Sequence, residues 1–224
     1  MHFPKETLAF LEGIAAHNDK AWFEANRPLY EAGYVEAGKA FVAELGPRLR
    51  EISPGVQFEP RVNGSIPRIN RDIRFSKDKR PYKDHLDLWF WHGDRRSWEL
   101  PGFWFRLTPA RVMLGTGMHM FTREQLEHYR QSVIHPRSGK ALLAAVAGVK
   151  AKGDYLIGEK TRKLMPRGYE ADPERAEYLL HEGLTGWIEL PAAAAFAPGF
   201  SDACVTHFAN TWPIARWLIA EVAD

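Results

Sequence analysis

The chain of 224 residues has a single cysteine, Cys204, so no internal disulfide framework and no multi-cysteine metal site can form. No apolar run approaches the ~20 residues that cross a bilayer. The opening residues Met1-His2-Phe3-Pro4-Lys5-Glu6 lack the basic start and apolar stretch of a secretory signal. These two absences set the expectation of a cytoplasmic protein with no membrane partner. Also missing are Gly-x-x-x-x-Gly-Lys-Ser/Thr, Gly-x-Gly-x-x-Gly and Gly-x-Ser-x-Gly. Walker-type nucleotide binding, Rossmann dinucleotide binding and a hydrolase nucleophile elbow are thereby unsupported, and no cofactor is expected. There is no internal repeat, low-complexity tract or long Ser/Gly linker, so residues 1–224 are expected to form one domain. Net charge is only +2, too little for a whole-protein nucleic-acid argument.

What is present belongs to a globular chain: 45% hydrophobic and 26% charged residues. Eight Trp, thirteen Phe and seven Tyr supply enough large apolar surface for a well-packed core. Phe3, Leu8, Leu11 and Ile14 recur at helical spacing over 3–16, and Ala21-Trp22-Phe23 starts a second short helix. Pro28 suits the first turn of a third, which should end or kink at Gly46-Pro47 near Leu45. The period then changes. Leu86, Leu88 and Phe90 alternate with Asp87, Trp89 and Trp91; Phe103, Phe105 and Leu107 alternate, as do Val112, Leu114 and Thr116. Thr108-Pro109-Ala110 is a short turn. The three strands predict an antiparallel meander over 86–116.

Helical signals return at Thr122, whose spacing to Gln125 makes a capping box, and His135-Pro136 stops that helix after Ile134. Residues 138–149 predict an Ala-rich helix. Asp172-Pro173 predicts an N-cap with proline behind it, and Gly183 a C-terminal stop. Trp187–Leu190 reads as an edge strand, and Ser201–Val222 as a last amphipathic helix broken at Pro213. Helices from both ends around an antiparallel sheet give an α+β fold. Cys204, in an apolar stripe with Val205 and Phe208, reads as a buried small hydrophobe. Trp89, Trp91, Trp98 and Trp104 read as packing between sheet and helices.

Positive charge is concentrated between 61 and 83. Arg61, Arg68, Arg71, Arg74, Lys77, Lys79, Arg80 and Lys83 outweigh Asp72 and Asp78 to give +6, which leaves −4 for the rest of the chain. The arginines at 68, 71 and 74 recur every three residues, so a helical turn would align them on one face. Asp72 stands beside Arg71 and could hold one guanidinium in a fixed fork. Ser76-Lys77-Asp78-Lys79 adds a hydroxyl, two ammonium groups and a turn-favouring acid. Arginine suits bidentate recognition of phosphate or carboxylate, and lysine adds a mobile charge. The expected anion-binding set is Arg68, Arg71, Arg74, Ser76, Lys77, Lys79 and Lys83. Asp72 or Asp78 is the candidate general base if the site carries hydrolytic or transfer chemistry. The bland alternative is a surface loop tied by salt bridges. Phe75 and Tyr82 read as core anchors rather than base-stacking platforms.

Arg71-Asp72-x-Arg74-Phe75-Ser76-Lys77-Asp78-Lys79-x-Pro81-Tyr82-Lys83 resembles the signature of domain of unknown function family 2461, a widespread group of conserved hypothetical proteins. Asn18-x-x-x-Trp22-Phe23-x-x-Asn26-Arg27-x-x-Tyr30 resembles the family's N-terminal helical motif. Lys163-x-x-Pro166-Arg167-Gly168-Tyr169 resembles its later Pro-x-Gly-Tyr element. The resemblance spans nearly the whole chain, with 187–203 too loosely patterned to compare. It implies one intact domain of this length and brings no activity with it.

That recurrence makes Lys163 and Arg167 expected partners of the basic segment, with Gly168 allowing a positive φ or a close backbone approach. A rival metal site would use His85 and Asp87, which share a strand face, with Asp84, His92 and His119; too few groups converge in sequence, and no metal is expected. Three readings remain: an anionic small molecule bound by the segment, a nucleic-acid or polyanion module using the same patch, and a protein-interaction domain in which the segment is structural. The first is preferred.

Overall fold

The computed structural model describes residues 1–94, 97 and 99–223. Trp98 therefore lies outside the described residues. The chain begins with α1 (Lys5–Ala16), α2 (Lys20–Ala25) and α3 (Arg27–Tyr30), which continues through a π-helical turn at Glu31–Glu36 into α4 (Ala37–Ile52). Asp19 caps α2, accepting from the Trp22 N–H at 2.9 Å. In the π-helical turn, a Cβ on Gly33 would lie 2.5 Å from the Glu6 carbonyl, so only glycine lets the backbone approach α1 this closely. The Thr7 hydroxyl fastens the contact, donating to the Gly33 carbonyl at 2.6 Å.

Helix α4 does not stop at Gly46-Pro47 but runs on to Ile52. Gly46 is the place where the Phe58 ring lies on the helix, since a Cβ there would fall 2.4 Å from it. With Leu45 and Leu49 fully buried on either side, packing outweighs the hydrogen bond lost at Pro47.

The strands are β1 (Val56–Gln57), β2 (Leu86–His92), β3 (Gly102–Leu107), β4 (Arg111–Met118), β5 (Leu156–Ile157) and β6 (Leu184–Pro191). They form one open antiparallel sheet in the order β1-β2-β3-β4-β6-β5. The central β2-β3-β4 meander is the one the alternation predicts, and all nine of its named inward positions from Leu86 to Thr116 are buried. The Thr108 hydroxyl closes the β3–β4 turn, accepting from the Arg111 N–H at 3.0 Å. Trp187–Leu190 lies within β6, between β4 and β5 in the sheet order, but of these residues only Trp187 has a β5 partner, so 188–190 stand at the edge beyond β5. The edge strand, β5, pairs Leu156 with Trp187 and Ile157 with Gly186 and is too short to show an alternation.

The remaining helices are α5 (Arg123–Ile134), α6 (Pro136–Lys150), α7 (Pro173–Ala176) and α8 (Phe200–Glu221). The Thr122–Gln125 capping box is formed. His135 both ends α5 and caps α6, its Nδ1 accepting from the Ser138 N–H at 3.3 Å. Asp172 caps no backbone N–H; its carboxylate pairs with Arg175, which itself donates to the carbonyls of Val133, Ile134 and His135 at the end of α5. Gly183 does not cap the preceding helical turn. It lies against the His119 carbonyl, where a Cβ would be 2.1 Å away. Helix α8 passes unbroken through Pro213, held by the burial of Trp212, Ile214, Ala215, Trp217 and Leu218 around the proline. Cys204 is buried, and burial pushes its thiol well above the ordinary value.

The chain packs as two compact units. The first takes Met1–Phe90, Trp104–Leu114 and Glu189–Val205, and the second takes Trp91–Phe103, Gly115–Ile188 and the residues from Thr206. In the first, Phe3, Phe41, Phe105 and Phe200 form one ring cluster, with centroids 4.4–6.4 Å apart. In the second, the core gathers Met118, Tyr129, Val133, Leu142, Leu184 and Leu218, among others. Phe103 stacks on Trp212 there at 4.6 Å.

Candidate functional site

The basic segment is not helical. Its two legs run antiparallel: the Lys83 N–H donates to the Ile69 carbonyl at 2.8 Å and the Arg71 N–H to Pro81 at 2.9 Å. The helical register expected for Arg68, Arg71 and Arg74 is therefore not realised, and they share no helix face. Asn18, from the N-terminal motif, completes the pairing like an extra strand. Its amide donates to the Tyr82 carbonyl at 3.1 Å and accepts from the Tyr82 N–H at 3.0 Å. The Tyr82 ring is buried and stacks on Phe23 at 4.4 Å, the anchor expected of it.

Between the legs, the sequence Asp-x-Arg occurs twice and does the same work twice. Asp72 accepts from the Arg74 backbone N–H at 3.2 Å and grips the Arg74 guanidinium at 2.7–3.2 Å. Asp78 does so for Arg80, accepting from its N–H at 3.0 Å and pairing with its guanidinium at 2.9 Å. An aspartate that bonds the backbone two residues on forms a turn without help from a helix or strand. Arg71 then reaches across the loop to Asp78 at 2.8 Å and to the Arg80 carbonyl at 2.9 Å. The Lys79 ammonium donates to the Ile73 carbonyl at 3.0 Å.

Asp72 holds one guanidinium as a fork, that of Arg74, because two-residue spacing brings backbone and side chain to one carboxylate together. One expectation is corrected here. Phe75 is not a core anchor. It is 95% exposed at the loop tip, with the Arg74 guanidinium 5.7 Å from its ring centre. Hydrogen bonds from Arg74 hold the Asp72 carboxyl below its usual range, and those from Arg80 hold Asp78 far below it. Both carboxylates are thus weak bases already engaged by donors, which suits bracing better than proton abstraction.

A second cluster lies where the loop meets β2. Asp87, half-buried, receives Arg106 of β3 as a fork at 2.7 and 3.1 Å. His85 stands between two acids, with Nε2 3.3 Å from Asp87 and Nδ1 3.0 Å from Asp84. Lys83 is 3.9 Å from Asp87, and Arg80 is 3.2 Å from Asp84. Burial works against the Asp87 charge, yet the hydrogen bonds from His85 and Arg106 prevail and bring its carboxyl to about 2. Asp84 is likewise held low, its burial outweighed by His85 and Arg80. Burial and the fields of Arg106 and Arg68 lower the Lys83 ammonium, against the pull of Asp87.

Of the expected set, the structure brings Arg71, Arg74 and Lys79 into the brace. Lys83 joins the Asp87 cluster, and Ser76 sits in the loop with its N–H 3.3 Å from the Ile73 carbonyl. Arg68 and Lys77 are exposed and make no ion pair among the described residues. Lys163 and Arg167 lie exposed on a loop of the second unit. Gly168 there has φ +81° with open space about it, so the positive φ is present and the close approach is not. His85 and Asp87 do share a neighbourhood, but among the described residues no group of three or more His, Cys, Asp or Glu is arranged to hold a metal ion. Nor, among those residues, is any helix long and apolar enough to cross a membrane.

Sequence reading missed Arg106. Its signal was its phase: Arg106 and Asp87 both stand out of register with the inward apolar positions of adjacent strands, which places opposite charges on one sheet face.

An α+β fold around an antiparallel meander, carrying a self-braced basic loop, is the class these observations define. Residues 6–217 match the family described as conserved hypothetical protein (DUF2461), and the chain belongs to it. No curated protein matches the chain.

Proposed function

We propose that the first unit binds the phosphate or carboxylate of a small molecule on a ledge formed by Arg68, Lys83 and Arg106. The observation that carries this reading is the uneven distribution of counter-charge. Arg71, Arg74 and Arg80 are matched within the loop by Asp72, Asp78 and Asp84. Lys83 lies in the field of both Arg68 and Arg106, Lys83 and Arg106 share one paired carboxylate, Asp87, and Arg68 has no ion pair among the described residues. Like charges held together raise the free energy of the empty site, and a bound anion relieves it. Asp72 and Asp78 serve this reading as braces and not as bases.

Thermal unfolding with added phosphate, sulfate or acetate tests the reading, with chloride at matched ionic strength as control. A ligand at 100 times its Kd stabilises by about 2.7 kcal/mol. The wild-type midpoint should rise, and Lys83→Met or Arg68→Ala should abolish the rise. Equal shifts in all three proteins would overturn the proposal.

Phe75 favours a second reading, in which the tip stacks a base of single-stranded nucleic acid while Lys77 and Arg74 meet phosphates. An oligothymidylate arm of the same titration separates the two. Binding lost in Phe75→Ala and weakening steeply with salt supports the second; loss in Lys83→Met alone supports the first.

A further inference from the structure

A cleft of about 260 Å³ opens in the second unit, between the end of α6, β5 and the 3₁₀ turn Glu177–Leu180. Its walls are polar-tipped rings: Tyr155, Tyr178 and His181 are 5%, 4% and 3% exposed. The Tyr155 hydroxyl is already engaged, 2.8 Å from His207 Nδ1 and accepting from the Asn210 amide at 2.8 Å. Burial, followed by the neighbouring Glu177 carboxylate, pushes the Tyr178 hydroxyl up to about 12, so that phenol stays neutral.

His181 differs. Its Nδ1 is buried without a hydrogen-bond partner and faces Gly158, where φ is +49° and a Cβ would fall 2.5 Å from that nitrogen. A neutral imidazole carries one proton, and a buried nitrogen with no acceptor in reach gains nothing by holding it. The proton therefore belongs on Nε2, as a donor. At the mouth, Lys160 is paired with Glu177 at 3.1 Å, whereas Lys150 at the end of α6 has no ion pair among the described residues. Leu156, 48% exposed, adds an apolar lip. Flat walls, an apolar lip, one uncommitted ammonium and one imidazole donor converge on a single space.

We infer that this cleft binds a small planar monocarboxylate, its apolar body between Tyr155, Tyr178 and Leu156 and its carboxylate toward Lys150 and the His181 ring. The inference does not rest on the ledge of the first unit. Benzoate is the probe, with isosteric neutral benzamide and inorganic phosphate beside it, titrated into the full chain while the His181 Cε1–H resonance is followed. Benzoate should shift that resonance saturably and benzamide should bind at least about tenfold more weakly, the change expected from one lost charge-assisted contact. Lys150→Met, an exposed change, should weaken benzoate by about the same factor, while Lys83→Met should leave it unaltered. His181→Gln tests the donor directly and should also weaken benzoate. Equal affinity for benzamide, binding of phosphate alone, no saturable shift, or full affinity in Lys150→Met would each overturn the assignment.

Discussion

Replacing Asp87 with alanine is expected to destabilise the protein by about 2–4 kcal/mol, the consequence of removing the acceptor from two partly buried cations, with Arg106 still 42% exposed. Asp87 is the carboxylate that pairs with both Arg106 and Lys83, and its side chain is only 17% exposed. Without it, two cations are left half-buried with His85 beside them. Urea unfolding measures the effect, and a loss below about 1 kcal/mol would place Asp87 among ordinary surface pairs. The same group leaves a mark on acid stability. Its carboxyl titrates at about 2 in the folded chain against an ordinary 3.8. A folded value below the unfolded one means the charged form stabilises the fold above pH ~4, and that contribution is lost as pH falls from there toward about 2. The contribution is about 2 kcal/mol. Asp72, Asp78 and Asp84 lose charge in the same acid range, so the difference between wild type and Asp87→Asn across that window isolates this residue.

Phe41→Ala should be comparably severe, at about 3–5 kcal/mol, because truncating a packed core ring removes its burial and leaves a cavity. Phe41 is fully buried and touches Phe3, Phe105 and Phe200, with centroids at 4.4, 5.6 and 5.7 Å. Those rings come from the first residues, β3 and the start of α8, so one substitution loosens contacts between segments far apart in sequence. Phe41→Leu, which keeps most of the volume, should lose less than half as much. Equal losses for Leu and Ala would mean that ring geometry, and not filled space, is what the cluster requires.

The strand meander was legible because its period is two and its turns are short. Leu86 to Thr116 alternate cleanly, and nothing in the tertiary structure contests them. Helix ends were less legible. Pro47 and Pro213 each remove a hydrogen bond, but the apolar residues beside them bury enough surface to carry the helix through, and that surface is set by partners distant in sequence. The basic segment was legible as a place and misread as a shape. Three-residue spacing suits a helix, yet Asp72 and Asp78 satisfy the backbone two residues on and so favour turns. Phe75 was misplaced for the opposite reason. Phenylalanine is most often buried, and only the closed loop behind it shows that its position points outward. Arg106 could not be tied to Asp87 until β2 and β3 were set side by side.

The doubled Asp-x-Arg brace also bears on proteolysis. Arg74, Lys77 and Lys79 offer scissile bonds to trypsin on an exposed turn, but a protease must draw several residues out straight before it can cut. Here Asp72, Asp78 and Arg71 hold the turn folded through contacts that face solvent and weaken with salt. Nicking should start after Lys77, whose side chain takes no part in the brace, and should be slow in dilute buffer. It should accelerate in about 1 M salt, where screening acts within about 3 Å, well before the rest of the chain becomes susceptible. A loop so rich in basic residues resists digestion to the degree that its own charges occupy one another.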